Sequence, residues 1–199
     1  MNIIFDIGNV LVRWDPVEIV RSVINAPGAV RVAEHLFAHP DWLEVDRGTM
    51  TIPEIISRTT ERTDIDEDIV TAIYQAVPAS LTPIPENIEL LQKIKQGGHH
   101  LYALSNMGHE SAAYLAQTAP FWGWFDAMVI SAEVNLVKPE PAIYEYLLTQ
   151  NGLTNSGCVF IDDSPTNIYS AEQLGIKSIQ FHSHDQLADE LRKYISWPE

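Results

Sequence analysis

The sequence predicts an α/β protein built on a doubly wound, Rossmann-like parallel sheet, with a helical cap inserted after the first strand. Three observations predict it. Five short apolar runs are continuous rather than alternating, as expected of strands buried on both faces. Helical patterns separate the last four runs, with proline near their starts and glycine past their ends. Residues 6–100 lie between the first run and the second, far more than one crossover connection needs.

Taken in order, the first strand is expected at residues 2–5 and the insertion at about 15–82. The insertion has helical patterns at 17–24, 29–37, 52–62 and 66–76. It leaves from the carboxyl end of the first strand, the edge at which such sheets bind ligands, so its position is that of a lid. It returns through Leu81-Thr82-Pro83-Ile84-Pro85, whose prolines make a stiff hinge. A helix over 85–96 carries Ile88, Leu91 and Ile94 on one face and stops at Gly97-Gly98. Strands follow at 101–104 and 127–130, a helix at 141–150 that stops at Gly152, and a strand at 158–161. A helix at 166–174 closed by Gly175 and a strand at 178–181 complete the pattern. The expected division is a core of residues 1–14 and 83–199, and a cap of residues 15–82.

Twelve Lys and Arg against 27 Asp and Glu give a net charge of −15. That sign argues against nucleic acid and against anionic membrane surfaces, both of which need Lys and Arg to neutralise them. An acidic protein that handles anionic phosphates needs a cation in its site, so the balance leans towards a bound metal. The single cysteine, Cys158, opens an apolar run and reads as a core residue, which excludes an internal disulfide. The N-terminal residues have neither the basic region nor the apolar stretch of a signal peptide, and no window has the makings of a membrane span. A soluble cytoplasmic protein, monomer or homodimer, is the expectation.

The strands end in polar groups at the ligand edge. The first ends Phe5-Asp6-Ile7-Gly8-Asn9-Val10, the second Leu104-Ser105-Asn106-Met107-Gly108, the fourth Ile161-Asp162-Asp163-Ser164-Pro165. Taken singly, each is turn chemistry. Ser164 as an N-cap and Pro165 as first helical residue account for that pair. They leave unexplained two adjacent carboxylates at the mouth of a buried strand, where mutual repulsion raises the cost. Lys138 lies just before a helix start, where the helix dipole disfavours a cation unless carboxylates or a phosphate offset it. His182 and His184 have no further His or Cys nearby and read as a solvated strand end. Phe121, Trp122, Trp124 and Phe125 read as core or a packing edge, with a dimer contact as the other use.

Asp, Ser, Lys and Asp-Asp, in that order on an α/β pattern, resemble the four motifs of the haloacid dehalogenase superfamily. The resemblance runs over nearly the whole chain, cap included. Asp6-Ile7-Gly8-Asn9-Val10 and Arg47-Gly48 look like the branch that contains bacterial α-glucose-1-phosphate phosphatases. It implies a Mg²⁺-dependent phosphatase acting on a small phosphorylated metabolite. Asp6 is then the nucleophile, and Ser105, Asn106 and Lys138 hold the phosphoryl group. Asp162 and Asp163, with an Asp6 oxygen and the Gly8 carbonyl, bind Mg²⁺, a hard cation that prefers oxygen ligands. Asn167 would steady the fourth motif. Trp42, Arg47 and His39 are expected on a cap loop between two helices, where an aromatic and a cation hold a sugar and its phosphate.

One position departs from that pattern. Most of the superfamily's phosphatases carry a second Asp two residues after the nucleophile as general acid and base, and here that residue is Gly8. The nearest acidic substitute along the chain is Asp15. Two neighbouring readings remain at this point: a 2-haloacid dehalogenase, which has no use for a metal-binding Asp162-Asp163 pair, and a catalytically impaired phosphate-binding regulatory module. A response-regulator receiver is excluded, because its acidic pair follows the first strand and no large insertion interrupts it.

Overall fold

The computed structural model describes residues 1–24 and 28–198; Asn25 to Pro27, inside the predicted insertion, and Glu199 lie outside the described residues. The chain opens with β1 (Asn2–Phe5) and enters five helices: α1 (Pro16–Val23), α2 (Ala29–Phe37), α3 (Pro40–Arg47), α4 (Ile52–Arg62) and α5 (Glu67–Ser80). It returns through α6 (Pro85–Gln96), β2 (His100–Ser105), α7 (His109–Thr118), β3 (Ala127–Ile130) and the short α8 (Ser131–Val134). The last part is α9 (Pro141–Gln150), β4 (Cys158–Asp162), α10 (Pro165–Gln173), β5 (Lys177–Gln180) and α11 (His184–Leu191).

The strands form one five-stranded parallel sheet in the order β3-β2-β1-β4-β5. Alternate side chains of β1 go to opposite faces. Ile3 and Phe5 pack with α6, α7 and α11 around Leu91, Leu115 and Leu187. Ile4 packs on the other face with α9 and α10 around Tyr144, Leu147 and Ile168. Residues 19–77 have a separate apolar cluster of their own, centred on Val20, Leu36, Ile55, Ile73 and Tyr74. The two connections between this bundle and the sheet run side by side. Val12 bridges Pro83, the Arg13 amide donates to Thr82 O, and the Ile84 amide donates to Leu11 O, both at 2.8 Å.

Three features differ from the expectation. The segment taken as a loop carrying His39, Trp42 and Arg47 is the helix α3: Pro40 opens it and Gly48 ends it in the left-handed region at φ +78°. Helices α7 and α11 lack the proline–glycine punctuation that marked the others, and the sequence reading passed over them. Ser164 occupies the N-cap position of α10, but its side chain makes no capping bond.

Candidate active site

Strand order reverses between β1 and β4, and it is in the crevice at such a switch point that open α/β sheets bind ligands. Asp6 leaves β1 there, its amide still donating to Ile161 O of β4 at 2.8 Å. Its Oδ1 accepts from the Ile7 amide at 2.7 Å and from Lys138 Nζ at 2.8 Å. The ammonium makes a second bond, 2.7 Å to Asp162 Oδ2. Asp162 is completely buried, accepting also from the Ser164 amide at 2.8 Å and from Asn167 Nδ2 at 3.0 and 3.1 Å. Asn167 therefore does steady the fourth strand's carboxylate.

Two asparagines set the loops around this core. Asn106 grips the backbone of Lys138 from both sides: its Oδ1 accepts from the Lys138 amide at 2.8 Å and its Nδ2 donates to the Lys138 carbonyl at 2.9 Å. Asn9 sits in the left-handed region at φ +53°, a conformation Asn tolerates better than most residues. From there its Nδ2 donates to Asp163 Oδ2 at 3.0 Å, and its Oδ1 accepts from the Trp14 amide at 3.1 Å.

Carboxylate atoms of Asp6, Asp162 and Asp163 lie within 4.8 Å of one another, with one ammonium among them. Burial pushes the Asp6 carboxyl up to about 7; Lys138 opposes the rise, and Asp162 and Asp163 add to it. Burial also raises Asp163, against the Asn9 amide that holds it down. For Lys138, burial works against the charge, but Asp6 and Asp162 outweigh it and hold the ammonium above its usual range. The group is thus short of positive charge, and its donors are the hard oxygens that suit a small divalent cation.

A cavity of about 260 Å³ opens over these residues. Of the residues expected at the site, Asp6, Gly8, Trp42, Asn106, Lys138, Asp163 and Asn167 line it. Ser105 ends β2 beside it, buried, and Asp162 lies beneath. Arg47 does not line it. Its guanidinium is committed to Glu140 through two bonds of 2.8 and 3.0 Å, because the end of α3 faces the start of α9. His39 accepts from the Asp41 amide at 3.2 Å as the N-cap of α3, and Asp15 accepts from the Val17 and Glu18 amides as the N-cap of α1. Asp15 does not line the cavity. Trp42 is both part of the helical bundle's core and cavity wall, stacked between Trp14 and Tyr74 at 5.7 and 5.8 Å. His184 pairs with Asn87 Oδ1 at 3.0 Å at the start of α11.

Reading the sequence missed Asn9, Trp14 and Asp46, all of which line the cavity. Gly8-Asn9 carried a turn signal that could have singled out Asn9. Asp46 carried none, because only the approach of the cap to the sheet brings it there.

Residues 46–181 match the family described as haloacid dehalogenase-like hydrolase. The chain belongs to that family. This haloacid dehalogenase-like hydrolase is 27% identical over 199 residues to a drimenol cyclase of Aspergillus calidoustus, covering 98% of this chain but only 37% of that much longer protein. It is 24% identical to a sesquiterpene phosphatase of Aspergillus oryzae, over 96% of this chain and 95% of that one. Its fold is shared, at a TM-score of 0.72 and 23% identity, with a haloacid dehalogenase family enzyme of Bacteroides thetaiotaomicron crystallised with magnesium and inorganic phosphate. That comparison covers 91% of this chain and 93% of the other.

Proposed function

We propose that this hydrolase is a Mg²⁺-dependent phosphatase of small phosphate monoesters, working through an aspartyl-phosphate on Asp6. The observation that carries the reading is the Asp6–Lys138–Asp162 arrangement with Asp163 beside it, three carboxylates sharing one ammonium at the sheet's switch point. Asp6, Asp163, Asp162 and the Gly8 carbonyl would hold the metal, whose chemistry is to offset the charge that repels a phosphate dianion. An Asp6 oxygen attacks phosphorus as the bond to the leaving oxygen breaks. Water then displaces the Asp6 carboxylate from phosphorus and releases phosphate. Lys138 fixes Asp6 Oδ1 and neutralises part of the charge that gathers on the transferring oxygens, with Ser105 at the adjacent strand end as a further hydrogen-bond donor.

Residues 15–82 act as the cap over a core of residues 1–14 and 83–199. The cap-facing wall is apolar, built from Trp14, Trp42, Val77 and Leu81, with no free guanidinium among the lining residues. That favours a leaving group with a flat or apolar face over one recognised by ion pairing. Stacking of a sugar ring on Trp42 remains within this class. The phosphatase named among the relatives, and the magnesium and phosphate bound by the structural neighbour, support the reading.

The test is turnover of p-nitrophenyl phosphate with Mg²⁺ and with EDTA, beside 2-chloropropionate. Turnover should need Mg²⁺, vanish in EDTA and be absent in Asp6→Asn, whose circular dichroism should still show the wild-type fold. Full turnover in EDTA, or halide release from 2-chloropropionate, would replace the phosphatase by a dehalogenase.

A further inference from the structure

Breaking a phosphate monoester of an alcohol leaves an alkoxide, and that oxygen needs a proton as the bond breaks. The proton carriers among the described residues that line the cavity are few. Asp6 is the nucleophile, Lys138 is committed to two carboxylates, and Asp163 belongs to the metal cluster and to Asn9. Gly8 contributes no side chain, although a Cβ built on it would meet nothing within 4 Å. The remaining carboxyl is Asp46, from the cap.

Its place is fixed by the residues around it. Ser131 Oγ donates to the Asp46 carbonyl, and Asn135 Nδ2 donates to the Arg47 carbonyl at 3.0 Å. The Arg47 guanidinium grips Glu140. Gly48 lies so close to the core that a Cβ there would stand 2.4 Å from Ala132 O. Three consecutive cap residues thus dock on the core around the one that faces the cavity. We propose that Asp46 is the general acid and base of this reaction, supplied by the cap in place of a residue on the nucleophile's own loop. This assignment rests on the phosphatase reading above.

In the first step the Asp46 carboxyl gives its proton to the leaving oxygen while the phosphorus–oxygen bond breaks and the Asp6 oxygen bonds to phosphorus. In the second, the Asp46 carboxylate takes a proton from the water that attacks the aspartyl-phosphate, so each turnover returns Asp46 to its starting form. The surroundings favour the proton-bearing form the first step requires. Burial raises the Asp46 carboxyl to about 7, the Gly108 amide opposing, Asp6 adding to the rise and Lys138 reducing it.

The experiment compares wild type, Asp46→Asn and Asp46→Glu on phosphates of rising leaving-group basicity, from p-nitrophenyl through phenyl to alkyl, with Mg²⁺. Asp46→Asn should lose about 10²–10³-fold in kcat/KM on alkyl phosphate, with Asp46→Glu recovering part of it, and change little in kcat/KM on p-nitrophenyl phosphate, whose leaving group needs no proton; its kcat there should fall, because the second step has lost its base. Vanadate with Mg²⁺ should raise the melting temperature of wild type and Asp46→Asn alike, since holding a phosphoryl mimic needs no acid. A second route adds a carboxyl from the core: Gly8→Asp in the Asp46→Asn background should restore alkyl-phosphate turnover. If wild type hydrolyses these esters but Asp46→Asn keeps the wild-type dependence of kcat/KM on the leaving group, or loses kcat/KM equally on all of them, Asp46 is not the acid. If wild type hydrolyses none, the phosphatase reading itself fails.

Discussion

Lys138 is a charged side chain taken almost wholly out of water, at 2% exposure, and its two carboxylate partners keep it there. Removing one member of such a group leaves the others buried and uncompensated, which costs about 3–5 kcal/mol of stability. Lys138→Met should therefore lower both the denaturation midpoint and kcat, the latter by about 10²–10³-fold, the scale of a lost oxyanion donor. Chemical denaturation and single-turnover kinetics measure the two separately, and a change below about twofold in kcat would make Lys138 a structural charge only. At this scale much of the site was legible. Asp6, Lys138, Asp162 and Asp163 stand where local patterns end, and a charge against a helix start or two adjoining carboxylates is visible in a string of letters. Asn9 and Asp46 act through approaches of 3 Å or so between segments far apart in sequence, and no local pattern encodes those.

Among the elements, α3 stands where the sequence pattern suggests a loop. Its cues were present: Pro40 at the first helical position, Gly48 just past the end and Arg47 in the last turn. It is short, however, and its cap is His39 rather than Ser, Thr, Asp or Asn, so the start was easy to pass over. The strands fared better, because burial on both faces writes a continuous apolar run into each of them. Reading α3 as a helix changes what Arg47 does. Its bidentate pair with Glu140 is half exposed on the Glu140 side, so its contribution is about 1 kcal/mol rather than that of a buried pair. Arg47→Ala and Glu140→Ala should each lower kcat/KM about fivefold on every alkyl phosphate alike, because they loosen the docking that places Asp46 rather than remove a substrate contact. The double variant should be no worse than either single one. Additive losses, or a changed ranking among alkyl phosphates, would show that Arg47 meets the substrate after all.

For the whole molecule, the sequence placed the sheet and the insertion, because residues 6–100 had to go somewhere between two adjacent strands. It said nothing about how far the cap closes, which depends on the fit of Gly48 against Ala132 and of the cap's aromatic stack above the cavity. Closure has an electrostatic cost. Asp6 and Asp46 are both held near 7, above an ordinary carboxyl of 3.8, so the folded protein binds more protons than the unfolded chain between those values. Their contribution to stability is complete below about pH 4 and lost as pH rises through about 7. In EDTA the melting temperature should thus be lower at pH 8 than at pH 5. Mg²⁺ should raise it most at pH 8, where the cluster's charge is greatest. Asp46→Asn should shrink the difference between the two pH values. Scanning calorimetry at both pH values checks this; an Asp46→Asn protein with the wild-type pH dependence would mean that Asp46 is ionised at little cost.

The paired connections at Val12 and Pro83 have a consequence for how such a protein can change. The insertion leaves and re-enters at one seam, so a different bundle can be spliced in by matching a single junction, with β1 and the nucleophile untouched. Recognition and chemistry would then be inherited separately, were it not for Asp46. With the proton donor riding on the lid, each exchanged lid brings or forfeits an acid along with its wall. A lineage that swaps lids therefore changes, in one event, both which alcohols fit and which of them can leave.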